Sequence, residues 1–283
     1  MPVTSSGTLV RLSQPDGTLL SSAAVGVPTN STSALDSAYA DIRSSVQRDI
    51  WYASDDGAKI VRLDHGTSAV TGAVDVVARP AGMTSQPPPS AAVWSFHLLQ
   101  DPVTRIDPTN GTATTFQVPG APQATGIAWD EGSLWLLTTQ PARVLELDDA
   151  TLSVKRTIDL HPLFARGRSS ADTRWLTLAD GALWATLPSY GAVARVDTSS
   201  GDVRYFRVPY GTPSGIAVGA GFAWVATDHA VLQLDEKSGA LRAAAIIPSA
   251  FRTGVMSIAF GYAAAWVTNY DRGTISRLPL PPT

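Results

Sequence analysis

The chain has no cysteine among its 283 residues. That excludes disulfides, thiolate nucleophiles and thiolate metal sites together, and leaves the redox compartment open. No apolar run approaches the roughly 18 residues needed to cross a bilayer, so no direct membrane insertion is expected. Lysine is scarce, with three against 18 arginines, a bias typical of GC-rich genomes. There is no Lys/Arg-rich run and the net charge is -3, so the footprint of a nucleic-acid partner is missing. Helical periodicity of useful length is missing too, as are the contexts of GxSxG, HExxH, P-loop and GxGxxG motifs. The opening MPVTSSGTLV lacks the basic and apolar regions of a signal peptide. The expectation is therefore an extracytoplasmic or secreted protein met after its signal or anchor is gone, with a cytoplasmic location not excluded.

What is present is repetition. Aligned on tryptophan, the chain reads DIWYAS at Trp51, AVWSFH at Trp94, SLWLLT at Trp135, ALWATL at Trp184, FAWVAT at Trp224 and AAWVTN at Trp266, in steps of 43, 41, 49, 40 and 42 residues. Around each, an apolar segment such as GIAW, WLTL, GIAV or SIAF predicts a strand A, and a tight turn leads to the tryptophan strand B. An alternating segment predicts strand C: KIVRLD, PVTRID, RVLELD, AVARVD, VLQLD. A polar turn then leads to strand D, as in TATTFQV, DVRYFRV and ALRAAAI. The aspartates closing strand C, Asp64, Asp107, Asp148 and Asp197, all fall 13 residues after their tryptophan, and Asp235 falls 11 after. They read as turn initiators that bond their own backbone.

Four short strands per 40 to 50 residues predict an all-β fold, a six-bladed β-propeller of four-stranded antiparallel blades. Such blades hide their apolar faces only by stacking into a closed ring. The repeats occupy residues 35–283 and residues 1–27 read as N-terminal closing strands, because GTLVRL near the start echoes GTISRL near the end. The whole is expected to be one monomeric propeller domain, 1–283, with seven blades as the alternative. The three prolines of MTSQPPPSAAVW stand where strand A would precede Trp94, which predicts a distorted inner strand there.

The phrase GIAVGAGFAWVATDHAVLQLD resembles the repeats of the virginiamycin B lyase (streptogramin lyase) group and of YVTN-type bacterial propellers. The resemblance implies a propeller. For an enzyme it implies a Mg-assisted, ring-opening elimination of a cyclic depsipeptide, carried by histidine and glutamate at blade starts and strand ends. Where the group has Pro-His-Gly-Ile this chain has Pro213, Ser214, Gly215 and Ile216. Where the group has Trp-Phe-Thr-Glu the blades here end in WSFH, WLLT, WATL, WVAT and WVTN.

In a meander, the A–B and C–D turns share one face and the B–C and D–A loops the other. The second collects the length variation, and binding loops on rigid scaffolds concentrate there. The ligand-binding candidates gathered on it are His97, Asp228, His229, Asn269, Tyr270, Arg252, Arg166 and Arg168, with Ser214 and Trp175 toward the channel. Arginine forks among them suit carboxylate or phosphate. His161 and Asp55 lie on the same face and Trp129 on a strand A. The six spaced tryptophans read as core. The resulting expectation is a non-enzymatic propeller that binds a small molecule, peptide or protein, with no resident cofactor. The alternative is a lyase-like or hydrolase enzyme on a cyclic peptide or lactone, with Mg.

Overall fold

Alternation of apolar and polar residues sends alternate side chains to opposite faces of a strand, and the repeats fold accordingly. In the strand Lys59–Asp64, Ile60, Val61 and Leu63 are buried while Lys59 is exposed. The computed structural model describes residues 2–3, 8–13, 18–24, 49–54, 58–64, 66–77, 80–86, 91–97, 102–121, 123–161, 173–246, 258–261, 264–269 and 274–279. The regular structure among them is strand, apart from one 3-10 turn at Pro188–Tyr190.

Among the described residues, seven antiparallel sheets follow one another in the chain. The first holds β1 (Pro2–Val3), β2 (Thr8–Leu12) and β3 (Leu19–Ala24). The second holds β4 (Asp49–Ser54), β5 (Lys59–Asp64) and β6 (Val70–Asp75). Three further sheets are complete four-stranded meanders: β7 (Pro80–Ser85), β8 (Val93–His97), β9 (Pro102–Ile106) and β10 (Ala113–Gln117); β11 (Ala124–Asp130), β12 (Ser133–Thr138), β13 (Arg143–Asp148) and β14 (Val154–Asp159); β15 (Leu176–Ala179), β16 (Ala182–Leu187), β17 (Ala192–Asp197) and β18 (Val203–Arg207). A fourth meander holds β19 (Pro213–Gly219), β20 (Phe222–Thr227), β21 (Ala230–Asp235) and β22 (Leu241–Ile246), and the last sheet holds β23 (Ile258–Gly261), β24 (Ala264–Asn269) and β25 (Thr274–Pro279).

One expectation changes. Strand A of the Trp94 repeat is β7, so strand A lies upstream of the three prolines rather than being replaced by them; β7 pairs with β8 through a register shift between Pro80 and Gly82. Pro87, Pro88 and Pro89 lie outside the described residues. The N-terminal strands β1–β3 form a sheet of their own.

The chain divides into two compact units, Met1–Leu136 with Leu145–Arg156, and Leu137–Val144 with Thr157–Thr283. In the first, Trp51 sits among Ile60, Met83 and Val93, and Trp94 among Val103, Leu134 and Leu145. In the second, Trp184 packs with Val193, Ile216 and Leu232, and Trp224 with Ile258 and Val267. Each of these four tryptophans therefore fills the seam between its own sheet and the next. Trp51, Trp94, Trp135, Trp184 and Trp224 are at most 3% exposed. Inner strands also sit side by side within a unit, β7 beside β11, and β15 beside β19 beside β23.

The aspartates at the ends of strand C close their turns. Asp64 Oδ1 accepts from the Thr67 amide at 2.7 Å, Asp107 Oδ1 from the Thr109 amide at 2.8 Å, and Asp148 Oδ1 from the Thr151 amide at 2.9 Å. Asp197 Oδ1 takes the Ser199 hydroxyl at 2.6 Å and the Ser200 amide at 2.9 Å, and Asp235 Oδ1 the Ser238 hydroxyl at 2.7 Å and amide at 2.8 Å. Donors aimed at a carboxylate favour its charged form. The Ser199 hydroxyl and the Ser200 amide, in that order, hold Asp197 down at about 2. Asp148 and Asp235 are lowered in the same way, by Thr151 and by Ser238.

Two predictions follow from the turns. Asp197 is more acidic folded than unfolded, so its stabilisation is complete above the ordinary value of 3.8 and fades as pH falls toward about 2. Asp197→Ala should lower Tm at pH 7, and the gap to wild type should close between pH 4 and pH 2; a gap of constant size in thermal melts would show that the carboxylate charge is irrelevant. Gly239 and Gly221 both have positive φ, +70° and +78°, but a Cβ at Gly239 would overlap the Phe206 ring while one at Gly221 meets nothing. Gly221→Ala should cost about 1–2 kcal/mol for the left-handed backbone, and Gly239→Ala about 1–3 kcal/mol more for overpacking, read from urea denaturation.

Candidate functional site

The ends of strand B carry most of the polar groups singled out on the loop-rich face. In the second unit, β20 ends at Thr227 and β21 begins at Ala230, so Asp228 and His229 form a two-residue bend. On a strand neighbouring side chains diverge, but the bend turns these two together: His229 Nε2 lies 3.6 Å from Asp228 Oδ2. The other carboxylate oxygen of Asp228 accepts the Thr212 amide at 2.6 Å. Beneath them Thr227 Oγ1 accepts the His229 and Ala230 amides at 3.1 and 2.9 Å and donates to the Ala230 carbonyl at 3.1 Å. The bend is pinned at its base, with its imidazole left half exposed.

Ser214 and Trp175 are held by a second set of hydrogen bonds. Ser214 is buried at the start of β19, where its hydroxyl donates to the Ala226 carbonyl at 3.2 Å. Its own carbonyl accepts from Thr186 Oγ1 at 3.1 Å, and Thr186 Oγ1 accepts the Trp175 amide at 3.1 Å. Trp175 itself is half-buried and packs on the core around Trp184. Hydrogen bonds through Thr186 thus join Ser214 to Trp175, while Asp228 is tied separately to Thr212, two residues before Ser214, and His229 to Thr227.

His97 sits in the first unit and is fully buried at the end of β8, opposite Pro80, with Nε2 2.8 Å from Thr104 Oγ1; that hydroxyl lies 3.1 Å from Thr115 Oγ1. The ring joins strands B, C and D of one sheet. Asn269 ends β24, paired with Thr274. Tyr270, Arg252, Arg166, Arg168 and Asp55 lie outside the described residues. His161 is exposed just after β14. Trp129 points to the opposite end of its sheet, donating Nε1–H to Asp149 at 2.8 Å.

The position three residues after the tryptophan, glutamate in the streptogramin lyase pattern, is here committed to local structure. Thr138 Oγ1 donates to the Pro141 carbonyl at 3.0 Å and Thr227 Oγ1 to the Ala230 carbonyl, the same closure of a B–C loop, and His97 ties its own sheet. Among the described residues no group of three His, Asp or Glu converges as a metal site would require. The Asp228–His229 pair can accept a proton or hold a charged group, but Ser214, the nearest candidate nucleophile by sequence, has its hydroxyl directed into the backbone of β20.

Sequence reading missed a second recurring constellation. Directly across from each tryptophan on strand C stands a cation in four sheets: Trp51 opposite Arg62, Trp94 opposite Arg105, Trp184 opposite Arg195, Trp266 opposite Arg277. Arg62, Arg105 and Arg195 lie 5.6, 5.9 and 5.9 Å from their indole rings, and Arg156 takes the same place over Trp135 at 5.4 Å. The signal was an Arg two residues before the closing Asp, in VRLD, TRID and ARVD.

No family model matches the chain, and neither does any curated protein sequence. Solved structures do. Virginiamycin B lyase from Staphylococcus aureus aligns with a TM-score of 0.74 at 17% identity, over 98% of this chain and 89% of that one. A catalytically inactive histidine-to-alanine variant of that lyase, solved with quinupristin, aligns at 0.67 and 20% identity over 89% and 86% of the two chains. The Cps50 (Swd1) β-propeller domain of Myceliophteria thermophila aligns at 0.76 and 15% identity over 98% and 91%. At such identities the likeness carries the architecture alone: the chain has a β-propeller fold, similar to that of virginiamycin B lyase.

Proposed function

We propose that this protein is a non-enzymatic binding propeller of six or seven blades, extracytoplasmic, that recognises a small molecule, peptide or protein on its loop-rich face around Asp228 and His229. One observation carries the reading: the groups standing where lyase chemistry would sit are spent on structural hydrogen bonds. His97 is fully buried against Thr104, Thr138 and Thr227 close loops, and Ser214 is bonded to Ala226. A general base needs a free, positioned atom within reach of substrate, and these atoms are engaged. Asp228 and His229 instead present a half-exposed carboxylate and imidazole on a rigid bend, a polar anchor suited to recognition.

A lyase acting on a cyclic depsipeptide with Mg is the second reading, favoured by the fold likeness to virginiamycin B lyase and by the His229–Asp228 contact. The two separate by mass spectrometry of quinupristin and a panel of cyclic depsipeptides incubated with the protein and Mg. The expected outcome is unchanged substrate. A product of equal mass and altered retention, lost in His229→Ala, would replace the binding reading with elimination, and one heavier by a water with hydrolysis. In a thermal-shift screen of the same compounds, a stabilising ligand should lose its effect in Asp228→Asn and His229→Ala while the unliganded Tm of both variants stays near wild type.

A further inference from the structure

At the other end of these strands, where the β17–β18 and β21–β22 turns meet, lies a cavity of about 360 Å³ lined by Arg195, Asp197, Asp202, Arg204 and Lys237. We propose that it is an oxyanion-binding site, in which Arg195 and Arg204 bridge a phosphate, sulfate or carboxylate group and Lys237 covers it.

The argument begins with register. Arg195 and Arg204 are direct partners across β17 and β18, so their side chains share one face, and like charges in that position destabilise a sheet. The same row continues to Trp184, opposite Arg195, whose ring lies 5.9 Å from the guanidinium. Stacking fixes one arginine and leaves its N–H fork pointing outward.

Two other sheets neutralise the arginine on their tryptophan, while Arg105 over Trp94 has no carboxylate within 4.0 Å among the described residues but faces Thr114 rather than a second cation. Arg62 donates to Asp49 at 2.8 Å and Arg156 to Glu146 at 2.9 Å. The cation seven residues after the turn aspartate is paired in two sheets, Lys155 with Asp148 at 3.4 Å and Arg242 with Asp235 at 3.1 Å. Arg204 stands seven residues after Asp197, yet the two stay apart with the cavity between them. Among the described residues Arg195, Arg204 and Lys237 have no carboxylate within 4.0 Å. Asp197 spends Oδ1 on its own turn. Lys237 lines the site from a turn whose Gly239 approaches Phe206 closely, and Phe206 stacks on Trp184 with centroids 5.7 Å apart.

Asp202 at the cavity, and Asp180 and Glu236 at an adjoining recess of about 150 Å³ that shares Arg195 and Lys237, limit the occupant's charge. They disfavour a polyanion and suit a small anion or the acidic end of a zwitterion.

The test is thermal melting in Tris chloride at constant ionic strength with inorganic phosphate or with acetate, on wild type, Arg204→Gln, Lys237→Ala and Arg105→Gln, the last removing a tryptophan-stacked arginine from another sheet. Phosphate or acetate should raise the wild-type Tm by about 2–4 °C once it exceeds its Kd several-fold, and which of the two acts tells a tetrahedral from a carboxylate ligand. Arg105→Gln should respond like wild type, Lys237→Ala less, and Arg204→Gln not at all while being no less stable than wild type without anion. No shift from either anion, or a shift of equal size in Arg204→Gln, overturns the proposal.

Discussion

Burial of a tryptophan in strand B of successive repeats is the interaction on which the rest depends. A sheet of four short strands cannot bury both its faces, and a large flat ring placed at the same point of each strand B gives consecutive sheets a common seam. Each indole removes about 150–250 Å² from water, worth roughly 4–6 kcal/mol gross at about 25 cal/mol per Å². The contribution is non-directional, so the ring nitrogen is often left over: Nε1 of Trp51, Trp94, Trp135 and Trp266 is buried without a partner. Packing outweighs that cost, and the arginine stacked over the ring recovers part of it through its charge.

With the seams set, the ends of the strands divide the labour. At the C–D turns, short Asp-Ser and Asp-Thr motifs bring amides and hydroxyls onto one carboxylate oxygen and reverse the chain in a few residues. At the B–C loops, buried threonines such as Thr138 and Thr227 do the same with a carbonyl three residues on. Polar residues near a propeller's channel therefore need not be chemical. Ser214, Thr186 and His97 are polar because the backbone and neighbouring strands demand partners where water is excluded.

Charges follow a different logic. Where a cation has a carboxylate in reach, as Arg62 has Asp49 and Arg156 has Glu146, it reinforces the seam. The sheet β15–β18 departs from this pattern by facing Arg195 with Arg204. A local arrangement that runs against the sheet's own stability, in a repeat whose other copies avoid it, marks a place where a fold serves something other than its own packing.

The sequence by itself determined the all-β class, the strand order within the repeats, the burial of Trp51, Trp94, Trp135, Trp184 and Trp224 and the turn role of Asp64, Asp107, Asp148, Asp197 and Asp235, because period-2 alternation and Asx turns are local and repeat. It misplaced strand A of the Trp94 repeat, since PAGMTS has too little apolar alternation to announce β7 and its pairing with β8 supplies the missing order. The tertiary structure alone decided that His97 is buried, that Asp228 and His229 meet across a bend, and that Thr186 joins Ser214 to Trp175. It also decided that Arg195 and Arg204 stand side by side at a cavity. Each of these depends on register and on the packing of one sheet against the next, and a one-residue slip in register would have turned every one of those side chains to the other face.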